Sequence, residues 1–300
     1  MLRIKINRLA HRWMPPRLFV FFRTLVRGYA SWRNLSANVK NWRFCWLVET
    51  FKPLGSCAGR HYQLGARQEK LITVHYHTGM RLLSYPACLG VVHHAQTYFD
   101  RLGLMDELPS GHVMIDIGAH VGAVSLPVAF GGATVFAYEP HPDNFHILEL
   151  NKTLNQLDNL HVFQCAVSDS IGTTTFEFGR TSTTGSLRAA GVSFRKQQAE
   201  TIEVRATTLA AIFSDHAIEE VGFLKIDTEG GEYEILFAEA AGDVLKKCHT
   251  LFLEVHPVTT DHDKYQLYAH LVNLGFRIKV IENLGNGCAD FYCTNSRFSA

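Results

Sequence analysis

Short apolar runs alternate with amphipathic helical patterns from residue 112 to the end of the chain, and this alternation constrains the fold more than any other feature. Runs such as ATVFAY and TLFL are apolar at successive positions, which is typical of strands buried on both faces of a parallel sheet. Parallel strands need crossover connections, and the helical patterns between the runs supply them. The sequence therefore predicts an α/β fold, with a doubly wound, mostly parallel sheet covered by helices on both faces.

The expected elements follow one another with short connections until residue 170. Strands are predicted at 112–118, 133–140, 160–169, 223–230 and 250–257, helices at 123–130, 142–156, 233–245 and 263–274, and a closing hairpin at 276–281 and 289–293. Residues 171–208 interrupt the alternation and contain the stretch GRTSTTGSLRAAG, rich in Ser, Thr and Gly. This stretch is either a loop above the sheet that contacts substrate or a solvated connection between two strands.

The length of the chain suits one such domain with an extension in front of it. We expect a basic N-terminal arm at 1–52, an accessory region at 53–108 and the main domain at 109–300. The accessory region contains a predicted hairpin at 71–85, turning at Thr78-Gly79, and a predicted helix at 93–107.

The arm is strongly basic. It holds eleven Lys and Arg residues against Glu49 alone, so the other 248 residues carry a net charge of −9 in a chain whose total is +1. Leu2, Ile6, Leu9 and Trp13 form the apolar stripe of a basic amphipathic helix. Such a helix can lie on an anionic membrane surface or pack on the main domain or a second subunit, and both interpretations stay open. A transit peptide is less favoured because serine is sparse, and nucleic acid is not expected as a partner.

Cysteine usage and apolar run length bear on the compartment. Seven scattered cysteines without C-x-x-C or zinc spacing favour free thiols in a reducing environment. The longest apolar run near the N-terminus, LFVFF at 18–22, is shorter than the core of a signal peptide. We expect a cytoplasmic protein, with peripheral membrane contact through residues 1–52 as a further expectation.

The segment HVMIDIGAHVGAVSLP, residues 112–127, places a glycine-rich turn between a strand and a helix. Gly118 and Gly122 can adopt backbone angles that a Cβ would forbid, and such turns commonly hold nucleotides. Glu139 follows Asp116 by 23 residues, close to the spacing at which an acid accepts the two ribose hydroxyls. The turn lacks the middle glycine that lets a backbone approach a pyrophosphate, which favours a nucleoside ligand over NAD.

Polar residues follow the other expected strands at the same sheet edge. Ser168-Asp169 follow the third strand, Asp227 and Glu229 the fourth, and Glu254 and His256 the fifth. Because side chains alternate faces along a strand, Lys225 should point the same way as Asp227, and Glu254 the same way as His256. We expect these side chains to meet above the sheet.

Five motifs make the chain resemble a known family. MIDIGAHVG, FAYEP, AVSD, LKIDTEGGEYEIL and LEVHP resemble the FkbM family of S-adenosylmethionine (SAM)-dependent methyltransferases over residues 110–282. The resemblance implies the seven-stranded, Rossmann-like sheet of class I methyltransferases. It also implies methyl transfer to a hydroxyl of a sugar or small metabolite.

The resemblance assigns roles to the residues of the glycine turn and its neighbours. Asp116, Gly118 and Gly122 would line the methionine and ribose side of SAM, and Glu139 the ribose hydroxyls. Asp169, with Ser168 before it, would lie against the adenine. His120 stands where the family commonly has Asn, and either side chain can hydrogen-bond.

Methyl transfer to an alcohol needs an aligned oxygen and an acceptor for its proton. His256 can accept that proton near neutral pH, with Asp227 or Glu229 orienting it or acting as the base. The same residues with Glu254 could instead ligate a divalent ion such as Mg²⁺, an alternative that we do not favour. A further alternative is structural, since Asp227 to Gly230 could merely cap the next helix.

The sequence thus predicts a SAM-dependent O-methyltransferase acting on a hydroxyl-bearing substrate such as a glycan or glycolipid. Two other classes stay open. A nicotinamide-dependent oxidoreductase would need the triple-glycine turn that is absent here. A non-catalytic, membrane-recruited adaptor that binds a nucleoside would depend on the arm and not on Asp227 or His256.

Overall fold

The computed structural model describes residues 71–85, 95, 111–178, 185–187, 200–257, 263–283 and 288–298. The chain forms two compact units, Met1–Asp100 and Arg101–Ala300. The predicted basic arm at 1–52, most of the predicted helix at 93–107 and most of the stretch GRTSTTGSLRAAG lie outside the described residues.

The first unit contains the hairpin expected at 71–85. Strand β1 (Ile72–His75) pairs antiparallel with β2 (Arg81–Ser84). The amide of Tyr76 donates to the carbonyl of Met80 at 2.9 Å, and Gly79 takes a φ of 96° in the turn, a conformation that suits glycine. The hairpin turns at Thr78-Gly79, as the sequence predicts.

A seven-stranded sheet forms the centre of the second unit. Its strands are β3 (Val113–Ile117), β4 (Thr134–Tyr138), β5 (Leu160–Phe163), β10 (Val221–Ile226), β11 (Cys248–Val255), β12 (Phe276–Asn283) and β13 (Ala289–Asn295). The order across the sheet is β12-β13-β11-β10-β3-β4-β5. The five strands from β11 to β5 run parallel, and β13 and β12 add an antiparallel hairpin at one edge. The prediction of a mostly parallel, doubly wound, Rossmann-like sheet is confirmed.

Six described helices connect these strands: α1 (Ser125–Phe130), α2 (Pro142–Asn155), α3 (Leu209–Asp215), α4 (Glu232–Phe237), α5 (Ala241–Leu245) and α6 (Lys264–Asn273). Local sequence sets several of their starts. Thr208 accepts the amide of Ala211 and begins α3, and Asp263 begins α6 with a full capping box. Among the residues that the structure describes, none of the helices is long and apolar enough to cross a membrane.

The strand order reverses beside β3. The chain moves outward from β3 to β4 and β5 and then returns to place β10 on the other side of β3. Ligands of open α/β sheets bind beyond the carboxyl ends of the strands at such a switch point. The residues that follow β3, β4, β10 and β11 therefore share one edge of the sheet.

Two predicted elements are divided in the structure. The strand expected at 160–169 is two strands, β5 and β6 (Ala166–Ser168), because the chain leaves the main sheet after Phe163. The helix expected at 233–245 is two helices, since Ala240 takes a left-handed φ of 64° between α4 and α5. The Ala-rich sequence around this break gives no local signal for it.

The interruption at 171–208 contributes three strands to a second sheet, namely β7 (Gly172–Phe178), β8 (Gly185–Leu187) and β9 (Glu200–Thr208). The fourth strand is β6, and the order is β6-β9-β7-β8. Phe176, Val204 and Ala166 form its small apolar core. The described part of this segment therefore consists of paired strands, while the two interpretations of the stretch GRTSTTGSLRAAG, most of which lies outside the described residues, stay open.

Leu224 lies at the centre of the main core. It is opposite Ile115 of β3 and Leu251 of β11, and all three side chains are fully buried. Leu224→Ala leaves a cavity that rigid strands cannot close, so we expect it to lower the free energy of unfolding by about 3 kcal/mol. Urea denaturation followed by circular dichroism measures this loss.

The control is Leu150→Ala, which removes the same atoms from an exposed position of α2. It should change the free energy of unfolding by about 0.5 kcal/mol or less. Equal losses in the two variants would contradict the position of Leu224 in the core.

Candidate active site

Gly118 lies where β3 and β10 exit the sheet side by side. Its φ is 80°, and a Cβ at this position would overlap the carbonyl oxygen of Asp227. The amide of Asp227 also donates to the carbonyl of Ile117 at 3.1 Å. Glycine is therefore required at 118 because two backbone segments approach each other closely at the switch point.

Gly122, at the other end of the turn, needs its glycine for a different reason. Its φ is 90°, and an added Cβ would overlap the side chains of Leu126 and Leu148. These leucines belong to α1 and α2 and are fully buried. The second glycine of the turn thus allows the helices to pack closely behind the loop.

Asp116 lies beneath the glycine turn and is fully buried. Its Oδ2 accepts a hydrogen bond from Ser125 Oγ at 2.6 Å, and its Oδ1 forms an ion pair with Lys225 Nζ at 3.1 Å. The resemblance implies that Asp116 lines the ligand pocket. The structure engages each of its carboxylate oxygens with a protein group under the loop.

Lys225 contacts Asp116, Asp227 and Gly118 at this edge of the sheet. The sequence predicts only the direction of its side chain and no role for it. It lies opposite Asp116 in the strand register, and its Nζ is 3.5 Å from Asp227 Oδ2 and 3.1 Å from the carbonyl oxygen of Gly118. Burial alone would lower the pKa of Lys225, but the charges of Asp116 and Asp227 outweigh burial and hold that pKa above its usual value. The side chain is therefore a buried cation, and the prediction that it points the same way as Asp227 is confirmed.

Glu139 follows β4 and is buried beside the glycine turn. Its carboxylate accepts the backbone amides of His120 at 2.8 Å and His141 at 2.9 Å, and the side-chain amide of Asn144 at 3.3 Å. Burial raises the pKa of Glu139 to about 7, although these hydrogen bonds and Lys225 oppose the rise. The contact from His120 comes from its backbone, which takes a φ of 53°.

Ser168 and Asp169 stand at the end of β6 and so belong to the second sheet. The expectation that they end the third strand of the main sheet is wrong, because that strand ends at Phe163. Ser168 Oγ lies 3.3 Å from Glu234 Oε2 in α4 and 3.3 Å from Asp169 Oδ1. Asp169 is exposed.

An acidic cluster forms where β10 and β11 end. Asp227 and Glu229 follow β10, and their side chains are 28% and 33% exposed. The imidazole Nε2 of buried His256 lies 3.5 Å from Glu229 Oε2 and 3.7 Å from Glu254 Oε1. The predicted meeting of these side chains above the sheet is confirmed. Asp227, Glu254 and His256 offer atoms within 4.8 Å of one another, a spacing that a divalent ion could also bridge.

Glu232, which the sequence reasoning missed, organises this cluster. It is fully buried, and its Oε1 accepts the amides of Thr228 at 3.0 Å and Gly230 at 3.1 Å and lies 3.1 Å from His256 Nδ1. The N-cap residue of α4 is Gly231, which makes no side-chain cap. Glu232 thus clamps the loop from 227 to 231 from the helix side, and the capping role considered for Asp227 and Glu229 does not describe this helix.

The carboxylates around His256 change the pKa of its imidazole. Burial disfavours the imidazolium, but the hydrogen bond and charge of Glu232 and the charges of Glu229 and Asp227 raise the pKa of His256 to about 11. Burial raises the pKa of Glu229 to about 7 and that of Glu254 to about 8. These charges favour the imidazolium, so a carboxylate beside it is better suited to accept a proton. The role of His256 as the proton acceptor stays a prediction.

The site and sheet together define a doubly wound α/β protein with a glycine turn and an acidic cluster at one edge of the sheet. Residues 116–278, more than half of the chain, match the methyltransferase FkbM domain, and the chain belongs to this family. It is 27% identical over 157 residues to methyltransferase sdnD of Sordaria araneosa, a match that covers 43% of this chain and 61% of that protein. The chain thus spans less than two thirds of the length of this curated relative.

Solved structures with a similar fold include two methyltransferases. One is a magnesium protoporphyrin IX methyltransferase from Synechocystis PCC 6803 with bound SAM, at 13% identity and a TM-score of 0.39, covering 83% of this chain and 95% of that one. The other is an rRNA methylase from Streptococcus thermophilus, at 10% identity and a TM-score of 0.41, covering 66% of this chain and 95% of that one. At this similarity the assignment rests on the family match.

The contact between Glu232 and His256 gives a direct prediction. Glu232→Gln removes the carboxylate that most strongly favours the imidazolium, so the pKa of His256 should fall well below about 11. Long-range ¹H–¹⁵N correlation of the imidazole nitrogens across a pH series measures this change. Glu220→Gln, which removes an exposed carboxylate beside half-buried His249, is the matched control and should leave His256 unchanged. An unaltered His256 titration in Glu232→Gln would contradict the contact.

Proposed function

We propose that this protein is a SAM-dependent O-methyltransferase that acts on a hydroxyl of a sugar or small metabolite. The observation that carries the proposal is the position of two groups on one sheet edge. Buried Glu139, which follows β4, contacts the glycine turn that follows β3. The acidic cluster follows β10 and β11 at the same edge of the sheet. Membership of the FkbM methyltransferase family supports the same reaction class.

The glycine turn and Glu139 are suited to the adenosine part of SAM. A carboxylate has about four lone-pair positions, and Glu139 already accepts hydrogen bonds from the amides of His120, His141 and Asn144, so one position is left for a ribose hydroxyl. Position 120, where a dinucleotide turn has its middle glycine, carries His120 instead. This favours a ligand without a pyrophosphate and counts against the nicotinamide alternative.

The acidic cluster is suited to the acceptor hydroxyl. Bound SAM would supply an activated methyl group that passes to the acceptor oxygen while the electron pair of the carbon–sulfur bond stays on sulfur, so the protein would have only to align that oxygen and take up its proton. We assign Glu229 as the acceptor of the hydroxyl proton because its pKa of about 7 suits transfer near neutral pH. Asp227, held by Lys225, would orient the hydroxyl, and protonated His256 would hold Glu229 in place.

A transfer assay tests the reaction class. The protein is incubated with [methyl-³H]SAM and a panel of glycosides, polyols and polar lipid extracts, and label in the acceptor is counted. Glu229→Gln keeps the shape of the side chain but cannot take a proton, so we expect kcat to fall by about 100-fold. Binding of S-adenosylhomocysteine (SAH) should change by less than about threefold, because the loss falls on the reaction step.

Glu239→Gln is the matched control, since Glu239 is exposed in the segment between α4 and α5. Its activity should equal that of the unmodified protein. Binding of SAM without transfer to any hydroxyl acceptor would contradict the methyltransferase proposal and favour the nucleoside-binding adaptor.

The pKa of Glu139 predicts how cofactor binding depends on pH. A ribose hydroxyl donates to the ionised carboxylate, which forms as pH rises through about 7. SAH affinity should therefore rise between about pH 6 and pH 8 and then level off, as measured by isothermal titration calorimetry. Glu139→Gln should weaken SAH by about tenfold, because a charge-assisted hydrogen bond is lost, and should flatten the pH dependence. A flat profile in the unmodified protein would contradict the assigned contact.

A further inference from the structure

The glycine turn is held by buried side chains from three other segments. Glu139, after β4, accepts the amide of His120 at 2.8 Å, and Asn151 Nδ2 of α2 donates to the carbonyl of Val121 at 2.9 Å. Lys225 Nζ of β10 donates to the carbonyl of Gly118 at 3.1 Å. Consecutive parts of the turn are thus tied to β4, α2 and β10 without any ligand.

Lys225 Nζ faces three oxygens at this edge. It donates a hydrogen bond to the Gly118 carbonyl and forms ion pairs with Asp116 Oδ1 and Asp227 Oδ2. Neutralising Asp116 needs one of these contacts. The other two reach the glycine turn and the acidic cluster, so the side chain does more than balance a buried charge.

We propose that Lys225 is a positioning residue that fixes the Gly118 carbonyl and the Asp227 carboxylate in the arrangement to which the methyl donor binds. The inference rests on the proposed function. A turn held in its bound shape loses little conformational entropy on binding, whereas a turn without this support must be ordered at that moment. The role is one of preorganisation, and Lys225 need not touch the donor.

The test compares Asp116→Asn with the double variant Asp116→Asn/Lys225→Met. Lys225→Met alone would leave Asp116 charged and buried without its ion-pair partner, and such a variant can fail to fold. The double variant removes both charges, and Ser125 can still donate to the new amide oxygen. Because the single variant keeps the bond from Lys225 to Gly118, the difference between the two isolates Lys225.

SAH binding is measured by isothermal titration calorimetry at a temperature well below the melting point of each variant. The double variant should bind SAH about tenfold more weakly than Asp116→Asn, with a less favourable binding entropy. Lys246→Met is the matched control, because Lys246 is an exposed lysine paired with Asp243 in an i,i+3 contact. It should bind SAH like the unmodified protein.

Two contrary outcomes are distinguishable. Failure of the unmodified protein to bind SAH would overturn the proposed function itself. Binding by the unmodified protein, with equal affinities in the single and double variants, would overturn only the role of Lys225. A merely structural lysine would lower the melting temperature and leave the SAH affinity of the folded variant unchanged.

A measurement on the unmodified protein covers the case in which the double variant does not fold. A buried, hydrogen-bonded ammonium exchanges its protons slowly, so the Nζ signal of Lys225 should appear in ¹H–¹⁵N spectra and vanish in Lys225→Arg. The signal should shift on SAH addition and saturate with the dissociation constant found by calorimetry. An unshifted signal at saturating SAH would overturn the inference.

Discussion

The contact on which the rest of this site depends is the close approach of two backbone segments at the switch point of the sheet. β3 and β10 are neighbours that are far apart in the chain, and their exits meet at Gly118 and Asp227. The amide of Asp227 extends the strand pairing by one bond to Ile117. Because a Cβ at 118 would push the two segments apart, the glycine at this position sets the distance between the glycine turn and the acidic cluster.

The same edge concentrates charge, and its ion pairs determine what each group can do. Lys225 lies between two aspartates, and His256 lies among glutamates. A buried carboxylate without a cation would be protonated or would destabilise the fold, so each cation keeps acidic groups in a water-poor site. The two cations differ in position and therefore in what each one stabilises. Lys225 lies beneath the turn and stabilises its shape, whereas His256 adjoins partly exposed Glu229, where a substrate proton could be received.

Local patterns in the sequence predict part of this site. Alternation along a strand places Lys225 beside Asp227 and Glu254 beside His256, and the glycine spacing identifies the turn. Contacts between elements are not visible in such patterns. Asn151 reads as one polar residue of an ordinary helix, and Glu232 as an acid in a first turn. Their partners are Val121 and His256, 30 and 24 residues away in the chain.

In the fold, too, local sequence patterns predict some elements, whereas others depend on residues distant in the chain. Apolar runs and helical patterns predict the main sheet, because each strand buried on both faces carries its own signal. The division of 160–169 depends on the insert, since β6 leaves the main sheet to pair with β9, whose sequence begins more than thirty residues later. The pKa of His256 also depends on residues that are distant in the chain. A histidine after a strand suggests a base near neutral pH, whereas the carboxylates gathered around His256 from α4 and the 227–231 loop favour its charged form.

The residue at position 120 supports the ligand that we propose for the glycine turn. A dinucleotide turn needs glycine there so that its backbone can approach a pyrophosphate. His120 keeps the left-handed backbone, with a φ of 53°, but its amide is directed to Glu139 at 2.8 Å. The turn therefore uses that amide to fix the carboxylate, a contact that comes from the backbone and that a glycine at 120 could also make. The side chain at 120 thus bears only on how closely a ligand could approach the turn, and it supports the proposal of a ligand without a pyrophosphate.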